Sequence, residues 1–293
     1  MHRWRQSELI EITFFFYLSA LTLVLPGRPH ADVRVLWVAI SVALSIALLA
    51  IGQERWHAVG FSIARDWWTL TVVLVAYRSL DLFAPVQYLT GLEKTWLQWD
   101  VVLLERWHIR SLIETCGPLL SMYLETCYLL TSAAGCFAVA LLYAAGKRER
   151  ANCFLTVYVL GTLLSYAVIP FLPTRPPRVV FPGVGSPEIV TSIRIYNLVV
   201  LSRAGIHTGV WPSAHVSSTF AAAWGMFLCF SERKRFGWIF LVYATSVAIA
   251  TVYGRYHFAV DAVAGFLVSL VAWGIARLVF RCAGQYNQVG TAN

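Results

Sequence analysis

Two histidines, an aspartate and a pair of arginines stand in three short motifs of an otherwise apolar chain: Arg175-Pro176-Pro177-Arg178, then Pro212-Ser213-Ala214-His215, then His257 with Asp261 four residues on. At a spacing of i, i+4, His257 and Asp261 share one face of a helix. A carboxylate so placed holds one imidazole nitrogen, sets the tautomer and leaves the other nitrogen free. That free nitrogen is a nucleophile, and on phosphorus it yields a phosphohistidine. Ser213 reads as the N-cap of a following helix, whose unpaired amides at Ala214, His215 and Val216 form an anion site. In the first turn, His215 is placed to protonate a departing alkoxide as general acid. Arg175 and Arg178, stiffened by two prolines, can fork onto phosphate oxygens. The chemistry these residue types spell is phosphoryl transfer with arginines meeting the charge, which calls for no metal and no cofactor. Two histidines of ordinary pKa, one neutral and one protonated, predict a bell-shaped pH profile. Each motif alone also has a plain structural reading, as a His–Asp pair, a helix cap or flanking cations.

The elements that must position these residues are membrane helices. Of the 293 residues 58% are hydrophobic and only 13% charged, and the mean hydropathy is +0.65, which leaves too little polar surface to cover a soluble globule. The expected fold is all-α, a polytopic integral membrane bundle of about eight spans of roughly 20 apolar residues. The runs lie at 9–26, 35–52, 67–85, 119–146, 153–172, 214–230, 237–253 and 258–280. Residues 1–118 hold the first three spans and an interfacial helix, and 119–293 the catalytic bundle, within one integrated domain. The first run is read as a span, not a cleaved signal, because residues 1–11 carry the acids Glu8 and Glu11 and no small-residue cleavage pattern stands before Pro26-Gly27.

Lys147-Arg148-Glu149-Arg150 and Arg233-Lys234-Arg235 are short basic loops and should be cytoplasmic. Eight spans then put both termini in the cytoplasm and all three motifs on the extracytoplasmic or lumenal face. The net charge of +8 comes without a basic stripe carrying interleaved aromatics, so nucleic acid is not an expected partner. No C-x-x-C pair occurs, and Cys127, Cys136, Cys153 and Cys229 fall inside spans, as small core residues.

Between the third and fourth spans, Trp96, Trp99, Leu103 and Trp107 form a stripe with Asp100, Glu105, Arg106 and Arg110 off it. That pattern predicts an interfacial helix lying in the membrane plane, as an anchor or a lid. In the long loop 173–213, Ser186 as N-cap, Pro187 as first helical residue and Gly205 past the end predict a second short helix. Glu125, an acid within the fourth span, is the one candidate for an acceptor or headgroup contact, against a structural pairing with a neighbouring hydroxyl.

Taken in order, the three motifs resemble the type 2 phosphatidic acid phosphatase superfamily over roughly 150–280. Its pattern is Lys, six residues, Arg-Pro; Pro-Ser-Gly-His; then Ser-Arg, five residues, His, three residues, Asp. Here Arg175-Pro176, Pro212, Ser213, His215, His257 and Asp261 match, while Val168, Ala214 and Ala250-Thr251 depart from it. Arg-Pro-Pro-Arg together with Arg255-Tyr256-His257-Phe258 looks more like the inositol phosphorylceramide synthase branch. The resemblance implies a His–His–Asp triad of His215, His257 and Asp261, with Arg175, Arg178, Ser213 and Arg255 binding phosphate; Arg178 and Arg255 would replace the missing cations. It implies lipid phosphoester substrates and water or a lipid alcohol as acceptor, giving a phosphotransferase or a lipid phosphate phosphatase. A non-catalytic lipid transporter or scaffold is the competing class. No Gly/Pro-broken spans in matching halves support it.

Overall fold

Residues 4–25 and 28–282 are described by the computed structural model. Pro26, where the first expected run closes, and the end of the second expected unit from 283 on lie outside them. In chain order the helices are α1 (Gln6–Leu21), α2 (Ala31–Trp56), α3 (Val59–Leu80), α4 (Thr90–Val101), α5 (Ile109–Thr115), α6 (Pro118–Leu129), α7 (Ala134–Ala144), α8 (Ala151–Val168), α9 (Pro177–Val180), α10 (Ser192–Ala204), α11 (Ala214–Cys229), α12 (Arg235–Tyr253) and α13 (Ala259–Cys282). No strand occurs among the described residues.

Among the described residues, six helical stretches are long and apolar enough to cross a membrane: α2, α3, α6 with α7, α8, α12 and α13. Their outer faces stay apolar, as with Trp37, Leu44 and Leu48 on α2, which suits lipid as solvent. The chain is an integral membrane helical bundle. The runs expected at 9–26 and 214–230 form α1 and α11 of 16 residues each, about 24 Å at 1.5 Å per residue, short of a hydrocarbon core of about 30 Å.

α11 sits among α8, α12 and α13. Small residues bring it there: a side chain at Gly161 of α8 would collide with Ala221, and one at Gly225 of α11 would stand 2.9 Å from the Phe154 ring. Close backbone approach through small residues is how helices pack where burial of apolar surface drives little. α8 is the most enclosed span, with 78% of its apolar window buried.

Both α8 and α12 start at the basic loops, where Lys147 and Arg150 meet Glu232. Both end at the motif loops. The three motifs therefore gather at the end of the bundle opposite the basic loops. At the basic end, Glu8–Arg65 and Arg5–Asp66 pairs tie α1 to α3, and the Tyr143 hydroxyl donates to Asp66 at 2.5 Å.

The expected interfacial helix divides in two. A π turn over Val102–Arg106 and left-handed His108 separate α4 from α5, so the tryptophan stripe loses its register. Trp96 is buried edge-on against Phe258 with ring centroids 5.7 Å apart, while Trp99 and Trp107 are exposed. In the loop 173–213 the helix ends before Gly205 as expected, but it begins at Ser192, where the Thr191 hydroxyl accepts from Arg194 N–H. Ser186 and Pro187 stay outside it, and the cap sits five residues later than expected because Thr191 makes the capping bond.

Candidate active site

α12 ends at Tyr253, and α13 begins at Ala259. The chain reverses between them through Arg255, whose φ of 60° is left-handed. The N–H groups of Tyr256 and His257 then both donate to Thr251 carbonyl oxygen, at 2.9 and 3.0 Å. His257 therefore lies in the turn before the last helix, not on its face. Its pairing with Asp261 arises from capping: Asp261 Oδ2 accepts from Phe258 N–H at 2.9 Å, the carboxylate half of a capping box. The same oxygen stands 3.3 Å from His257 Nδ1. Asp261 is fully buried, and its Oδ1 has no partner.

The second motif docks on this turn. Ser213 N–H donates to the Asp261 carbonyl at 2.9 Å, and Ser213 is the N-cap of α11, its hydroxyl accepting from Val216 N–H at 3.5 Å. In the first turn of α11, His215 places Nδ1 3.4 Å from His257 Nε2. Asp261, His257 and His215 thus form one line, with Nε2 of His257 turned to the second ring. Burial, and after it the charge of Arg178, lowers the His257 imidazole from 6.5 to about 3, so it is neutral at physiological pH.

Of the three motif arginines, only Arg178 meets no carboxylate among the described residues. Its backbone N–H donates to Arg255 carbonyl oxygen at 3.2 Å, and its guanidinium lies 5.4 Å over the Tyr256 ring and donates to Tyr256 carbonyl oxygen at 3.4 Å. Arg175 and Arg178 line one chamber of about 310 Å³ with Tyr88, Thr174 and His207. The Thr174 hydroxyl is buried with no partner.

Arg175 and Arg255 are held by α4. Glu93, at 0% exposure, accepts from Arg175 N–H, Nε and Nη2 at 2.8, 3.2 and 2.9 Å. Asp100, at 1% exposure, pairs through Oδ2 with Arg255 Nη1 and through Oδ1 accepts Ala259 N–H at 2.9 Å. Asp100 thus serves the N-terminus of α13 beside Asp261. Nε and Nη2 of Arg255 remain buried and without partners.

Glu125, the candidate for an acceptor or headgroup contact or for a structural pairing, sits in a buried hydrogen-bond network. At 2% exposure, its Oε1 accepts from Arg194 at 2.9 Å, and its Oε2 from Asn197 and the Tyr256 hydroxyl at 2.7 and 2.5 Å. Tyr256 stacks on Tyr128 at 3.9 Å, and Tyr128 on His215 at 5.1 Å. The acid therefore steadies the ring stack behind His215.

With this geometry in place, the family comparison is decisive. A family model described as the PAP2 superfamily matches residues 99–275, more than half of the chain. The chain belongs to the PAP2 superfamily. It is accordingly a phosphatase-type enzyme. Comparisons with curated proteins and with solved structures find no match. The PAP2 match takes in Asp100, Glu125 and all three motifs, and it leaves α1 to α3 and Glu93 outside. Sequence reasoning missed Glu93, Asp100, Arg194 and Tyr256 as parts of this site. The available signal was the charge balance: acidic residues on an interfacial helix and in a span need cationic partners, and the motif arginines are the nearest class.

Proposed function

We propose that this PAP2 protein moves a phosphoryl or phospho-headgroup from a lipid phosphoester by way of a phosphohistidine on His257, at the extracytoplasmic or lumenal face. The observation that carries the reading is the line from Asp261 through His257 to His215, at 3.3 and 3.4 Å. Asp261 keeps the proton on Nδ1 and leaves the Nε2 lone pair free for phosphorus. Because in-line displacement puts the leaving oxygen on the far side of phosphorus from Nε2, substrate must part the two rings on entry. Burial lowers His215 to about 3 as well, so it takes up its proton with the anionic substrate; as the N–P bond forms, the P–O bond breaks, and the leaving oxygen takes that proton from His215. The acceptor hydroxyl then returns a proton to His215 as its oxygen attacks phosphorus and the N–P bond breaks. Arg178 meets the charge of the equatorial oxygens from the Tyr256 side, joined by Arg175 and Arg255, which Glu93 and Asp100 of α4 hold.

We favour a phosphotransferase resembling inositol phosphorylceramide synthases over a lipid phosphate phosphatase. The chamber beside Arg175 and Arg178, at about 310 Å³, has the size of a small ligand site and holds more than a bare phosphate. The basic loops at the opposite end of the bundle support this orientation.

The test is turnover by purified protein in EDTA, with His257→Ala and His215→Ala as controls. Lipid phosphates are assayed for released phosphate, and phosphodiester lipids for headgroup transfer to ceramide or diacylglycerol. Transfer abolished by His257→Ala is the expected result. Phosphate release alone supports the phosphatase, and no turnover in either assay overturns the reading.

A further inference from the structure

Residues 205–213, between α10 and α11, form no helix, yet they deliver Ser213 and His215 to the site. Backbone groups in such a stretch need partners, and here the end of α3 supplies them. Arg78 Nη1 donates to Ala204 carbonyl oxygen at 2.9 Å, and the Tyr77 hydroxyl meets the Ile206 backbone. Just past α3, Asp81 Oδ1 accepts from His207 N–H at 2.8 Å and stands 3.1 Å from His207 Nδ1. The buried Thr208 hydroxyl donates to Leu80 carbonyl oxygen. From the loop that follows, the Tyr88 hydroxyl donates to His207 carbonyl oxygen at 2.6 Å. The segment 204–208 is thus tied to Tyr77, Arg78, Leu80 and Asp81 at one helix end.

Asp81 joins more than this segment. Its Oδ2 pairs with Arg28 at 3.1 Å, and Arg28 N–H donates to Leu82 carbonyl oxygen at 2.8 Å, so the approach to α2 closes on the same point. The His207 ring is 70% exposed, but the bond to His207 N–H sets the path of the chain whatever charge the ring carries. A charged acceptor makes that bond stronger than a neutral one. Past Thr208 the segment presses on the end of α8: a side chain at Gly209 would stand 3.3 Å from Ile169 carbonyl oxygen and 3.4 Å from that of Leu172. Val210 then brings its backbone to the His257 imidazole, and Ser213 N–H donates to Asp261 carbonyl oxygen at 2.9 Å. The chamber of Arg175 and Arg178 is lined by His207, Gly209 and Val210, and not by Asp81.

We infer that Asp81 is a positioning residue: by holding His207 N–H it sets the segment 204–210 so that Val210 meets His257 and Ser213 docks on Asp261. The reaction it serves rests on the phosphoryl-transfer reading; the brace itself does not. Asp81 and α3 precede the residues matched by the family, 99–275, so the N-terminal helices supply this brace to the bundle. A displacement of about 1 Å caused far from the chemistry can cost about a hundredfold in rate, which is the scale on which such a brace acts.

Two measurements on the full chain in nanodiscs test it. The first is kcat and KM for 4-nitrophenyl phosphate, and for any lipid turned over in the assays above, in wild type, Asp81→Ala, Asp81→Asn and Thr208→Val. Asp81→Ala should lower kcat about tenfold or more and leave KM within about twofold, because Arg175 and Arg178 keep their places. Asp81→Asn, whose amide oxygen still accepts His207 N–H, should stay within about threefold of wild type. Thr208→Val removes the neighbouring tie and should repeat the loss in kcat alone. An unchanged kcat in Asp81→Ala, or a loss carried by KM, overturns the inference, as does an Asp81→Asn variant as slow as Asp81→Ala. The second is backbone hydrogen exchange read by mass spectrometry. Faster exchange over 204–210 in Asp81→Ala, with α8 and α13 as in wild type, is expected. Exchange unchanged over 204–210, or raised throughout the bundle in both Asp81→Ala and Thr208→Val, overturns the inference. If wild type turns over neither the ester nor any lipid, the phosphoryl-transfer reading fails, and the brace stands or falls by exchange at 204–210 alone.

Discussion

Glu93 holds Arg175 through three hydrogen bonds, one to its backbone N–H and two to its guanidinium, at 2.8 to 3.2 Å. The carboxylate is wholly buried while the arginine side chain is 35% exposed. α4 thus fixes the backbone and the fork of the arginine that opens the first motif. Exposed ion pairs contribute about 0–1 kcal/mol, but a buried carboxylate with three donors is a positioning device. Replacing Glu93 by Gln keeps the shape and removes the charge. Arg175 should then swing, and kcat/KM should fall about tenfold to a hundredfold, worth about 1.4–2.8 kcal/mol, with the fold retained. Turnover of Glu93→Gln beside a thermal melt in detergent checks this; unchanged turnover would remove Glu93 from the site.

Asp100 and Arg255 form the inner pair of the same clamp, both at 1% exposure. Breaking a buried pair from one side costs about 3–5 kcal/mol because it strands a charge, whereas removing both partners costs much less. Arg255 already has Nε and Nη2 without partners, so its dependence on Asp100 is strong. Asp100→Asn and Arg255→Met should each lower the melting temperature more than the double variant Asp100→Leu/Arg255→Met does. A double variant less stable than either single one would show that the pair does more than compensate its own burial.

Glu125 separates a bracing role from a ligand role by its kinetics. If it steadies Tyr256, Tyr128 and His215 in turn, Glu125→Gln should lower kcat about tenfold, about 1.4 kcal/mol, and leave KM near wild type. A headgroup contact would instead raise KM for headgroup-bearing substrates and spare simple phosphates. Steady-state kinetics on one substrate of each kind decides between them.

The membrane bundle was legible because twenty-residue apolar runs have few other solutions, and the proximity of His257, Asp261 and His215 was legible because they stand at helix ends that the motifs announce. The route to the triad was less so. The i, i+4 spacing predicted a shared helical face, whereas His257 stands two residues before α13 and reaches Asp261 through a capping bond. α4 was misread for a related reason. Trp96, Trp99 and Trp107 mark an interfacial helix, but a π turn at Val102–Arg106 shifts the stripe, and the polar positions taken as the wet face include Asp100, which is buried against Arg255. Hydrophobic periodicity tells which face is greasy, not which partner waits on the other one.

The pH profile tests the electrostatics of the triad directly. In the proposed mechanism the neutral form of His257 is the nucleophile, and protonation removes it. Burial first and Arg178 second lower this imidazole from 6.5 to about 3, so in the free enzyme it stays neutral as pH falls until about pH 4. The acid side of the bell that two ordinary histidines predict should therefore be missing: kcat/KM should show no fall between about pH 7 and pH 5 from His257. Arg178→Gln removes the cationic neighbour, which raises the imidazole pKa, protonates more of the nucleophile at low pH and moves the acid limb upward. Its position is independent of the overall loss from weaker phosphate binding, so the two roles of Arg178 separate in one experiment. A wild-type acid limb centred near pH 6.5, unmoved by Arg178→Gln, would show that neither burial nor Arg178 governs the nucleophile.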